Sequence, residues 1–131
     1  MNLALYLTPK TSVQCLDGDV SVREGILRME EGGYTAVPVV DRDACYVGTL
    51  TEGDLLRFVL SGEDIDETRV IDVPMRDENR AVPVVANLDA IVEVALDQNF
   101  VPVVDSRGVL MGIVTRRTIL TVCYGRVGAS S

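Results

Sequence analysis

The chain has 131 residues, with 12 basic and 20 acidic side chains and a net charge of −8. That length holds one domain or two very small ones, which excludes a (β/α)8 barrel or a two-domain dehydrogenase. With 47% apolar residues the chain can pack a core, and with no histidine it can form neither a Ser-His-Asp or Cys-His triad nor an imidazole-based zinc site.

The predicted elements follow in chain order. A short strand near 13–16 comes first. Ser21-Val22-Arg23-Glu24 has the form of a capping box, and Val22, Ile26 and Met29 fall at helical spacing. Gly32-Gly33 ends that helix. An apolar strand at 36–40, a turn at Asp41–Ala44 and a strand at about 45–50 lead to a second helix opening at Thr51. Residues 61–68 form an acidic, solvated connector within a linker at 61–72. A short strand near 81–85 and an Asn87-capped helix with Leu88, Ile91, Val92, Ala95 and Leu96 on one face come next. Strands at 100–104 and 109–114 flank a turn at Asp105–Gly108, and a last helix opens at Thr115. The tail from Gly125 to Ser131 is expected to fray.

These elements occur twice. Val37-Pro38-Val39-Val40-Asp41 recurs as Val101-Pro102-Val103-Val104-Asp105, an offset of 64. Gly48, Thr51 and Leu56 match Gly112, Thr115 and Leu120 at the same offset, giving eight identities in twenty positions. Short-repeat arrays need at least three copies, so two long copies point to half-domains related by a pseudo-two-fold axis. The expected fold is α/β, with two β-α-β-β-α units at 8–60 and 73–124 in one compact module.

The residues that carry chemistry cluster where strands meet helices. Thr51 and Asp54 have capping spacing, with Thr51 accepting from the Asp54 amide and Asp54 reaching back to the Thr51 amide. The alternative is functional: free amides and a positive dipole end offer an anion site, with Thr51 on phosphate and Asp54 on a sugar diol. In the second copy Arg116 and Arg117 oppose the macrodipole in the first turn of a helix, at about 0.3–1 kcal/mol each, unless a carboxylate or bound anion compensates. Thr118 stands where the first copy has its aspartate. Pro38 and Pro102 interrupt strand patterns, as on an edge strand. Alternatively, backbone groups left unpaired beside them face the edge of a planar base, with Tyr34-Thr35-Ala36 and Asn99-Phe100-Val101 lining its pocket. Tyr34 and Phe100 as ordinary core or surface aromatics is the plainer alternative.

Asp17, Asp19, Asp41 and Asp43 read as turn residues and lack a calcium-loop pattern. Cys15, Cys45 and Cys123 are an odd count without CxxC or activating bases, so neither a disulfide framework nor a reactive thiol is expected. Residues 3–7 are too short for a signal-peptide core, and no apolar run reaches membrane-spanning length. A cytoplasmic location is expected, and the acidity disfavours nucleic acid or membrane as partners.

Copy one runs Pro38-Val39-Val40-Asp41, Gly48, Thr51, Asp54, and copy two has all but the last position. In this pattern the chain resembles tandem cystathionine-β-synthase-type (CBS) domain pairs, or Bateman modules, over residues 8–123. Gly33–Pro38 and Gly112–Arg117 are also similar to stand-alone bacterial CBS proteins, some of which bind cyclic di-AMP. The resemblance implies a regulatory module with no catalytic activity and no cofactor, dimerised into a disc of four motifs. Its ligand would be an adenosine compound: AMP, ADP, ATP, S-adenosylmethionine or cyclic di-AMP. By position, Asp54 would hold ribose and Thr51 phosphate or ribose, while Ser12-Val13 and Thr35-Ala36-Val37-Pro38 would hold adenine. Arg116, Arg117 and Lys10 would reach phosphates. The equivalent positions in copy two are Phe100, Val101, Pro102, Thr115 and Thr118, and Thr118 puts a second ribose clamp in doubt. No effector domain fits in this chain, so regulation would act in trans on a separate protein. Two other functions compete: an interaction module without ligand, and a metal-dependent phosphohydrolase on Asp17, Asp19, Asp41 or Asp43.

Overall fold

The computed structural model describes Leu3, residues 6–77 and residues 79–130, with side chains of the last helix up to Cys123. In chain order the strands are β1 (Thr8–Pro9), β2 (Leu16–Asp17), β3 (Ala36–Val40), β4 (Tyr46–Thr51), β5 (Val82–Pro83), β6 (Phe100–Val104) and β7 (Leu110–Thr115). The helices are α1 (Val22–Gly32), α2 (Glu52–Leu60), α3 (Leu88–Ala95) and α4 (Arg116–Ser130). The expected α/β architecture is present as one compact module. The first leading strand is shorter than expected, starting only at Leu16. The tail expected to fray from Gly125 is helical through Ser130, and Ser131 lies outside the described residues.

Local chemistry sets the helix ends. Ser21 accepts from the Glu24 amide at 3.1 Å and caps α1, which Gly33 ends at φ 67°, a left-handed conformation that glycine adopts without strain. Asn87 accepts from the Ala90 amide at 2.9 Å and caps α3. The acidic connector is not only solvated: the Thr68 and Ile65 carbonyls accept from the first amides of α1, Val22 and Arg23, at 2.9 and 3.0 Å. Those amides have no partner inside the helix, so the connector satisfies them.

Two sheets result, one in the order β2-β3-β4 and the other in the order β1-β7-β6-β5. In each, the proline strand pairs in parallel with its leading strand and antiparallel with the next. Pro38 and Pro102 therefore lie on interior strands, not on the edge strands expected. They are tolerated because the leading strands are so short. β2 pairs only with Val39 and Val40, and β5 only with Val103 and Val104, which leaves each proline beyond the parallel ladder. The sheets meet where Tyr46 N–H donates to the Gly108 carbonyl and Leu110 N–H to the Ala44 carbonyl, each at 3.0 Å. These two bonds are related by the offset of 64, so the internal two-fold passes between them. Ala44 (φ 64°) and Gly108 (φ 84°) hold matching left-handed turns there.

Each half is completed by chain that leads into the other half. β1, at the start of the chain, pairs with β7 through Thr8↔Ile113 and Pro9↔Gly112. Leu3 is buried in the core of the second copy with Ile91, Val101, Val103 and Val114. Val70 and Val73, which follow the connector, are buried in the core of the first copy with Leu16, Val37 and Leu50. Burial of each such side chain contributes about 1.5–3 kcal/mol.

Candidate ligand-binding clefts

The first junction is where β4 runs into α2. The Thr51 hydroxyl accepts from the Asp54 amide at 3.1 Å, and the Asp54 Oδ2 accepts from the Thr51 amide at 3.0 Å, a reciprocal capping box. The Glu52 amide donates to the Thr35 carbonyl at 3.0 Å and ties the helix to the start of β3, where Ala36 pairs with Thr51. The Asp54 Oδ1 accepts from Arg57 Nη2 at 2.6 Å and from the Arg76 amide at 3.1 Å. The Asp54 side chain is 0% exposed. Its burial pushes the carboxyl pKa up. The bonds from the Thr51 and Arg76 amides, the Thr51 side chain and Arg57 outweigh burial and hold it below the usual aspartate value. A ribose reaches this carboxylate only if Arg57 or the Arg76 segment yields.

The second junction is where β7 runs into α4. The Thr115 hydroxyl accepts from the Thr118 amide at 3.2 Å and donates to the Thr118 hydroxyl at 3.0 Å, so threonine replaces the buried carboxylate with a neutral contact. The Arg116 amide donates to the Asn99 carbonyl at 3.3 Å. The Arg116 side chain turns back along α3. Its guanidinium donates to the Ala95 and Leu96 carbonyls at 2.9 and 3.1 Å and to Asn99 Oδ1 at 3.3 Å. A cation at a helix C-terminus is favourable, which resolves the conflict Arg116 presents at the start of its own helix. Arg117 is exposed, and among the described residues its guanidinium has no hydrogen-bond partner.

The structure divides the sequence-predicted residues between two places. Lys10 and Ser12 form a 3-10 turn directly after β1, whose antiparallel register on β7 (Thr8↔Ile113, Pro9↔Gly112) carries them toward the start of β7, so the structure does not bring Lys10, Ser12 and Val13 to the second junction. Thr35, Ala36, Val37 and Pro38 lie beside Thr51 at the first junction, and Phe100, Val101 and Pro102 beside Thr115. Val37, Pro38, Val101 and Pro102 are buried, backbone included. Tyr34 is not at the strand ends. Left-handed Gly33 turns the chain so that the Tyr34 amide donates to the Met29 carbonyl at 3.1 Å, and its ring lies over Gly32 in the outer groove between α1 and α2.

Two residues missed in the sequence shape these clefts. Arg76 reaches Asp54 through its backbone amide, a contact no side-chain motif announces. Gln98 is buried, and its side chain accepts from the Arg80 amide at 3.0 Å and donates to the Arg80 and Phe100 carbonyls at 2.9 Å each. Its amide thus stands in for a strand partner of the segment that crosses the first copy. Tyr46 holds the same segment, its hydroxyl donating to the Asn79 carbonyl at 2.6 Å.

The remaining candidates have structural partners. Asp17 and Asp41 accept from the amides of Asp19 and Asp43 in tight turns, and Asp19 pairs with Arg42 and Arg69. Among the described residues no three His, Cys, Asp or Glu side chains converge as a metal site. Burial pushes the Cys15 and Cys45 thiols up, and the carboxylates of Asp41, Asp43 and Asp105 push Cys45 further, so both are poor nucleophiles. No helix of the described residues is long and apolar enough to cross a membrane.

Two half-folds sharing a two-fold, each with a strand-to-helix junction of this form, define a CBS pair. The CBS domain family matches residues 6–61 and 70–125, and the chain belongs to that family, carrying two copies. Its fold is similar to that of CbpB solved in complex with c-di-AMP, with a TM-score of 0.86 and 25% identity over 98% of this chain and 88% of that one. Listeria monocytogenes CbpB in complex with c-di-AMP gives a TM-score of 0.83 and 25% identity over 98% and 99%. CBSX2 in complex with AMP shares the fold at a TM-score of 0.73 and 23% identity over 95% and 96%. No curated protein matches the chain.

Proposed function

We propose that the chain is a non-catalytic regulatory module that binds an adenosine nucleotide (AMP, ADP, ATP or c-di-AMP) and signals in trans to a separate effector protein in the cytoplasm. The observation that carries this reading is the second junction. Arg117 is exposed and unpartnered among the described residues, and it leaves the first turn of α4, where the dipole favours an anion. Family membership, with two CbpB complexes at 25% identity, is the reason to try c-di-AMP first. A ligand regulates only by favouring one conformation or assembly, and the assembly we propose is a homodimer through the outer helix faces. Leu56 and Leu120, equivalent in the two copies, are 60% and 69% exposed on those faces.

A second reading, an interaction module without ligand, is favoured by one observation: Asp54 and Arg116 already have a full set of partners. Melting temperature separates the two. With AMP, ADP, ATP or c-di-AMP at a hundred times its dissociation constant, the stabilisation is about 2.7 kcal/mol, a shift of several degrees. Arg117→Ala should abolish that shift without lowering the melting temperature of the free protein. If no compound shifts the wild type, the interaction-module reading stands.

A further inference from the structure

The two strand-to-helix junctions share one plan but not one chemistry. The first turn of α2 reads Thr51-Glu52-Gly53-Asp54, and that of α4 reads Thr115-Arg116-Arg117-Thr118. Glu52 and Asp54 already complement the positive end of α2, so that junction needs no added anion. The first turn of α4 holds no acid. Arg116 is held by α3 carbonyls, and Arg117 extends from the turn without a partner among the described residues. Position 118 then decides which part of a nucleotide can lie beside Arg117. An ionised aspartate such as Asp54 only accepts, and a carboxylate binds both hydroxyls of a vicinal diol with charge-assisted bonds. Thr118 is half-buried. Its oxygen accepts from the Thr115 hydroxyl at 3.0 Å, and among the described residues its own hydroxyl proton has no acceptor. With one lone pair taken, one lone pair and one proton remain, too few to chelate a diol. That proton suits an oxygen without hydrogen, and a neutral side chain at 118 leaves a phosphate beside Arg117 unrepelled. The exchange extends to the ion pair, because Arg57, which holds Asp54 at 2.6 Å, is matched in the repeat by Thr121, whose hydroxyl donates to the Arg117 carbonyl at 2.9 Å.

We infer that Thr118 is the specificity-determining residue of the second junction: it selects a nucleotide whose ribose is esterified in a phosphodiester over one with a free 2′,3′-diol. This rests on the nucleotide reading of the proposed function and adds which class of nucleotide the site takes. The acid that could clamp a free diol lies in the other copy, where Arg57 and the Arg76 amide already hold it.

Isothermal titration with c-di-AMP, whose 3′ oxygens are esterified, and its displacement by AMP, which carries the free diol, read the same site. On the wild type AMP should compete with a dissociation constant at least about tenfold weaker than that of c-di-AMP. Thr118→Asp restores the residue of the first copy, which that junction accommodates as a cap. It should weaken c-di-AMP by at least about tenfold while AMP holds or gains. Thr118→Asn has the size of aspartate without its charge and should keep c-di-AMP within about threefold of the wild type. Circular dichroism and the melting temperature of each free variant check the fold, and if Thr118→Asp does not fold, the wild-type ratio and Thr118→Asn decide. AMP competing as tightly as c-di-AMP binds, Thr118→Asp weakening both ligands by one factor, or Thr118→Asn losing c-di-AMP overturns the selection and leaves nucleotide binding in place. If neither ligand binds the wild type, the nucleotide reading falls and the selection with it.

Discussion

Asp54 has a structural role whatever it does for a ligand. It is buried and accepts from two backbone amides and one guanidinium. Its folded pKa lies below the unfolded value, so its contribution to stability is complete above the unfolded value of about 3.9 and is lost as pH falls through the folded one. Asp54→Asn should therefore cost about 2 kcal/mol near neutral pH, since an amide cannot accept from all three donors. The gap between variant and wild type should close as pH drops below about 4. Urea unfolding of both proteins from pH 7 to pH 3 measures it, and a gap constant with pH would mean that the carboxylate charge contributes nothing. Loss of nucleotide binding in an Asp54 variant is ambiguous for the same reason, whereas Arg117 sits apart from the fold and gives a cleaner readout.

The segments that cross between halves explain both glycines of the repeat. A Cβ on Gly48 would come within 2.9 Å of Met75 Sδ, the end of a flexible side chain, whereas a Cβ on Gly112 would collide with the Thr8 carbonyl of β1. Backbone held in a ladder cannot move aside as methionine can. Gly112→Ala should destabilise by about 2–3 kcal/mol and Gly48→Ala by about 1 or less, and equal losses in denaturant midpoints would count against this account of β1. The helix caps, the proline strands and the duplication were all legible in the sequence, because each leaves a local or periodic trace. The Thr51–Asp54 cap shows in its spacing. β1 left none: two residues carry no alternation, and its partner is about a hundred residues away. Arg116 misled for a related reason, since its own helix predicts repulsion and its partners belong to α3. Gln98 is marked by nothing local, and the repeat only sets it opposite Tyr34.

At the scale of the whole molecule, the two copies are not independent. Leu3 is 1% exposed, yet the core it fills belongs to the second copy. Leu3→Ala should cost about 2–5 kcal/mol, as for other large-to-small core changes. Hydrogen exchange should show the first loss of protection at Val101 and Val103 rather than at Val37 and Val39, the reverse of what sequence proximity suggests. Viewed as an assembly, the module is a pair of exchanged halves closed into one chain. Its connector turns a meeting of two molecules into one within a molecule, at an effective concentration of the order of millimolar. On the ribosome this orders events. The first copy lacks Val70 and Val73 until the connector has emerged, and the segment that completes the second copy has by then long been made. The first half can therefore finish while the second is still being made, and Leu3 is left waiting for strands that arrive last.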